Sequence, residues 1–147
     1  MENNNKDFLL KEIDLIQAII NRMAHNSFLI KGWAITLIIG SLLLKGTKFG
    51  VFIAVIPLIS FWILDAYFLK QERLYRKLFE WTIDNRLKTS EHFFDLKTLR
   101  FKSKVQSIPR TMVSITLSIF YGSISVLLII YIIMILKYQV CIICIKR

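Results

Sequence analysis

The sequence predicts an all-α membrane protein with three transmembrane helices, an N-terminal amphipathic helix and a cytoplasmic helical stalk continuing from the second span. Three observations carry that prediction. Apolar residues make up 55% of the 147-residue chain and are massed into long, nearly charge-free blocks instead of being spread at helix or strand period. Five Gly and two Pro supply too little turn chemistry for a many-stranded barrel, which leaves helices as the spanning structure that satisfies its own backbone. Mean hydropathy is +0.55 although the chain carries 20 Lys and Arg and 10 Asp and Glu, so charge is segregated from the apolar blocks. Such a composition excludes a disordered tail, and the length sets one domain as the ceiling.

Residues 1–26 read as the amphipathic helix. Leu9, Ile13, Ile16, Ile20 and Met23 recur at spacings of 4, 3, 4 and 3, with Lys11, Glu12, Asp14 and Arg22 largely off that stripe. Four acids against four bases through Lys31 favour packing on protein over attraction to lipid. The first span occupies 27–44, charge-free from Gly32 to Leu44 and just long enough for a hydrocarbon core of ~30 Å.

Lys45, Gly46, Thr47 and Lys48 form a polar turn. The second span follows over 49–69 with Asp65 as its single charge, and Pro57 is expected to kink it. No breaker separates it from KQERLYRKLFEWTIDNR, so the helix is expected to run on as a stalk over 70–88. There Leu74, Tyr75, Leu78, Phe79, Trp81 and Ile83 keep helical spacing and offer a stripe on which the N-terminal helix can dock.

Residues 89–110 read as a basic aromatic connector, with Phe93, Phe94, Leu96, Leu99 and Phe101 interleaved with Lys97, Arg100, Lys102 and Lys104. Directly before a span, this mixture is expected at an anionic inner leaflet with its rings at headgroup depth, and not on nucleic acid. The third span, 111–136, is 26 residues without a charge and ~39 Å long as a helix, longer than the hydrocarbon. The tail 137–147 is expected to fray.

Positive charge orients the chain. Of the 20 Lys and Arg, 11 fall in 70–110, which places that segment, and hence the N-terminus, in the cytoplasm and the 45–48 turn and the C-terminal tail outside. An acidic and basic stretch precedes the first apolar block, so no cleaved secretory signal is expected.

Catalytic signatures are absent: there is no phosphate-cradling glycine loop, paired-His metal motif or Gly-x-Ser-x-Gly elbow. No enzyme, cofactor or metal site is expected. His25 and His92 are isolated, and Cys141 and Cys144 read as small apolar residues of the tail, with a disulfide or lipidation as alternatives. Folding the polar turn as a hairpin pairs positions that sum to about 93, which brings Asp65 within one turn of Lys31 and predicts an intramembrane ion pair. Two stripes of small residues, Gly32, Thr36 and Gly40 in the first span and Ser114, Ser118 and Gly122 in the third, with Ser125 close behind, permit close helix packing or pore lining. One is expected to close the three-helix unit and the other to serve self-association.

At IINRMAHNSFLIKGW, FWILDAYFLKQERLYRKLFE and SIFYGSISVLLIIYI the chain resembles a family of small bacterial inner-membrane proteins. The residues that carry the likeness are Asn21, Arg22, Ser27, Lys31, Gly32 and Trp33, then Trp62, Asp65, Tyr67, Glu72, Arg73 and Arg76, all near a membrane boundary. In architecture the family is similar to transmembrane effectors of anti-phage systems, which join a membrane hairpin to a cytoplasmic helical stalk. The basic stalk, the two small stripes and the lack of catalytic groups lead to the expectation of a membrane-disrupting or pore-forming homo-oligomer in the lipid bilayer, controlled by a cytoplasmic protein or small-molecule trigger. A membrane anchor or scaffold for a cytoplasmic partner is the competing expectation, and a small transporter is disfavoured by the lack of an inverted repeat.

Overall fold

A computed structural model describes residues 2–43, 48–86, 89 and 94–145 of the chain. Its elements are α1 (Glu2–Leu43), α2 (Lys48–Asn85), a short 3-10 helix (Leu99–Lys104), α3 (Ile108–Met112) and α4 (Ile115–Ile145), with no strand among the described residues. Three segments are long and apolar enough to cross a membrane: Lys6–Leu43, Ile53–Asn85 and Ile115–Tyr138.

The first two helices exceed any bilayer. No Gly or Pro interrupts residues 2–31, so α1 runs without a break from the N-terminal stripe into the apolar block. For the same reason α2 continues past Leu69 to Asn85, with Pro57 accommodated inside it. Most of the 45–48 turn lies outside the described residues, as do His92 and Phe93.

The helices pack as a long α1–α2 hairpin with α4 leaning on α2, while the backbones of α1 and α4 do not approach one another. One apolar cluster joins Ala34 and Ile38 of α1, Ala54, Leu58 and Ala66 of α2, and Leu117, Tyr121 and Leu128 of α4. Alanines at these crossings let backbones come close where lipid and side chain are equally apolar and packing drives association. A second cluster buries Ile16 of α1 against Leu74 and Leu78 of α2 and Phe101 of the 3-10 helix. Of the three candidate spans α4 is the least covered, with 11% of its most apolar window buried against 28% in α1.

Two boundaries differ from the sequence expectation. The third helical region does not run unbroken from Thr111: α3 ends at Met112 and α4 begins at Ile115. The break is held by Trp62, whose indole N–H donates to the Met112 carbonyl at 3.0 Å. At its other end α4 extends through Cys141 and Cys144 to Ile145 instead of fraying at 137, because neither Gly nor Pro follows Leu136 to stop it. Trp62→Phe keeps the ring and removes the donor, and should lower stability by about 1 kcal/mol in a detergent melting experiment. An unchanged midpoint would show that the break holds itself.

Candidate functional site

Four side chains from three helices meet where the hairpin touches α4. Lys31 and Ser27 project from α1 one turn apart on the same face, Asp65 from α2, and Tyr121 from α4. Lys31 Nζ lies 2.6 Å from Asp65 Oδ2, with the carboxylate fully buried and the lysine side chain 21% exposed. Ser27 donates its hydroxyl to the other carboxylate oxygen and accepts from Lys31 Nζ at 2.8 Å. Tyr121 donates to Asp65 Oδ2 at 3.2 Å and lies 3.1 Å from the Phe61 carbonyl. The ammonium also sits 5.8 Å from the centroid of the Phe120 ring.

This constellation satisfies a charge that would otherwise be expensive. A lone carboxylate at a bilayer centre costs ~2.5–3.5 kcal/mol on insertion scales, and here it receives a cation and two hydroxyl donors. Ser27 next to Lys31 has the composition of a nucleophile and base, yet the serine proton is donated to Asp65 and the ammonium to Ser27 and Asp65. Every polar atom is engaged in joining helices, so the geometry is that of a clamp. Trp62, stacked on Tyr121 at 5.5 Å and 9° between planes, ties the clamp to the α3–α4 break.

A second charged contact closes the other end of the hairpin. Arg86, just beyond α2, donates through Nε to Glu12 Oε2 at 2.6 Å and through Nη2 to Glu12 Oε1, in a bidentate pair with side chains only 4% and 1% exposed. Trp81 lies one turn back, its ring 5.4 Å from the Arg86 guanidinium and 4.2 Å from that of Arg100. The sequence reading missed this pair, although the hairpin arithmetic that places Asp65 opposite Lys31, carried further along, puts Glu12 little more than one turn from Arg86.

The first-span stripe does not form the internal contacts. Gly32, Thr36 and Gly40 all face outward, and a Cβ added at either glycine would meet nothing within 4 Å. Thr36 spends its hydroxyl on the Gly32 carbonyl of its own helix. Ser114, Ser118 and Gly122 are half-buried, and Gly122 is equally unconfined. The first-span stripe therefore does not close the three-helix unit, which the alanine and tyrosine contacts of the apolar cluster join.

The residues near the end of the second span divide in two. Tyr67 is exposed, whereas Glu72 pairs with Arg76 at 2.7 Å and Arg73 donates to Gln106 Oε1 at 3.3 Å. In the connector, Phe101 is 4% exposed within the hairpin cluster instead of lying at a surface, while Leu99 is open. No grouping of three or more metal-ligating side chains occurs among the described residues.

Fold and clamp together define the class, an all-helical protein with three candidate membrane spans, which fits a multi-pass membrane protein. No protein-family model matches the chain, and no match was found among curated proteins or solved structures.

Proposed function

We propose that this is a small protein of the bacterial inner membrane, with its N-terminus in the cytoplasm, that self-associates in the bilayer and disrupts it. On this reading it is a non-enzymatic effector of anti-phage defence, restrained or released through its cytoplasmic helices. The observation that carries self-association is the outward-facing Gly32, Thr36 and Gly40 stripe, a surface with room for a close helix partner that the described residues do not fill. Three helices cannot enclose an aqueous path, so leakage requires several copies arranged symmetrically. Orientation is supported by the 11 Lys and Arg of 70–110, and the defence setting by resemblance of architecture.

Inducible expression in bacteria with a membrane-potential dye tests this reading. Collapse of the potential, with or without a cytoplasmic trigger, is the expected result; an intact potential with the protein inserted and every trigger supplied would overturn it. Gly40→Leu should reduce cross-linked oligomer severalfold while helicity and melting stay unchanged, because the added side chain enters open space. Unaltered cross-linking would remove the stripe from the assembly.

A second reading, an anchor for a cytoplasmic partner, is favoured by one specific feature. Phe8, Leu10 and Leu15 are exposed on the part of α1 proposed to lie outside lipid, where a partner helix could cover them. An anchor leaves the potential intact and releases its partner when these three residues are made polar.

A further inference from the structure

Where α2 runs past its apolar 49–69 stretch and the chain approaches the third candidate span, a cleft opens between α2 and the connector. Its accessible volume is about 280 Å³, and it is lined by Arg73, Arg76, Lys77 and Lys104, with Glu80 and Gln106. The positions are fixed from beneath: Leu74 and Leu78 on α2 pack in the apolar cluster that Val105 joins, so the side chains on either side of Val105 are held over the helix.

The charges do not cancel. Arg76 is paired with Glu72 at 2.7 Å and Lys77 with Glu80 at 2.6 Å. Among the described residues neither Arg73 nor Lys104 forms an ion pair: Arg73 donates to the neutral Gln106, and Lys104 lies 5.7 Å from the Phe101 ring. With its oxygen engaged by Arg73, the Gln106 amide retains its NH₂ donors. The cleft thus combines a guanidinium fork, an ammonium and an amide donor, with two positive charges uncompensated, which is the donor set that phosphate oxygens take.

We propose that this cleft binds the phosphate of an anionic phospholipid headgroup from the inner leaflet. The choice of lipid over a soluble phosphate ester rests on the inner-side placement proposed above, which sets both cleft walls at headgroup depth. Arg73 lies eight residues beyond the clamped Asp65, and Gln106 two residues before α3 begins. Bound there, the headgroup bridges α2 to the connector and steadies the approach to α3.

The full chain, purified in nonionic detergent, is incubated with phosphatidylglycerol diluted in phosphatidylcholine, and retained lipid is measured by mass spectrometry. A parallel arm replaces phosphatidylglycerol with glycerol phosphate or inorganic phosphate. Wild-type protein is expected to retain phosphatidylglycerol selectively, and Arg73→Gln with Lys104→Gln should weaken retention about fivefold for each cation removed. Lys97→Gln with Lys102→Gln removes the same charge from exposed positions outside the cleft and should leave retention unchanged.

Equal loss in both double variants would reduce the effect to general surface charge and overturn the site. Full retention in the Arg73 and Lys104 double variant would also overturn it. Competition by glycerol phosphate or inorganic phosphate as strong as by the lipid would overturn the lipid assignment in favour of a soluble phosphate. Should the double variant fail to fold, Lys104→Gln alone carries the test, since that exposed side chain meets the packed cluster only through its approach to the Phe101 ring. Retention in detergent does not depend on orientation, so a reporter fused near Arg86 distinguishes failure of the topology from failure of the site.

Discussion

Replacing Glu12 with Ala should destabilise the N-terminal end of the hairpin by about 3–5 kcal/mol, because it leaves the Arg86 guanidinium buried without its bidentate carboxylate. The pair spans 74 positions of sequence and is almost wholly shielded from water. Its attraction is unscreened by salt, and so is the penalty for removing one partner. Hydrogen exchange of residues 6–20 should accelerate strongly, since Ile16 loses its purchase on Leu74 and Leu78 as the helices part. Replacing both residues, Glu12→Leu with Arg86→Met, should recover most of the loss, as apolar replacements of buried ion pairs commonly do. A single variant with native exchange rates would mean that the pair holds nothing. If the proposed effector is released through its cytoplasmic helices, Glu12→Ala should also lower the threshold for loss of membrane potential.

The Asp65 clamp should show the second largest effect. Asp65→Asn keeps acceptor and donor groups for Ser27 and Tyr121 but strands the Lys31 ammonium, and about 2–4 kcal/mol of stability should go, with reduced yield in the membrane. Asp65→Ala should be worse, since it also removes the acceptor of the Ser27 hydroxyl and leaves Tyr121 only the Phe61 carbonyl. Lys31→Met combined with Asp65→Asn should restore most of the melting midpoint. Unchanged assembly and stability in Asp65→Asn, accompanied by altered ion leak, would replace the clamp with an ion pathway.

The two charged contacts differ in how far the sequence revealed them. A single acid inside an apolar block and a short turn were enough to bring Asp65 to Lys31, because an antiparallel hairpin fixes axial position by counting residues. Counting does not fix rotation. Tyr121 could not be assigned to the clamp, since α4 is apolar all round and carries no periodic signal of which face turns inward. Nothing in the spacing of Glu12 or Arg86 marks either as buried, because burial of a charge depends on what surrounds it and not on its place in the sequence.

The three apolar stretches and the continuity of the second span into its extension follow from sequence alone, since charge-free length and the absence of breakers dictate them locally. The tertiary structure decided which faces meet: it turned Gly32, Thr36 and Gly40 outward, drew Phe101 into the hairpin cluster and broke the third helical region beside Trp62. The physical reason is that hydropathy cannot tell lipid contact from helix contact. Where both environments are apolar, shape and a few buried polar bonds select the packing, and these exist only once the helices are side by side.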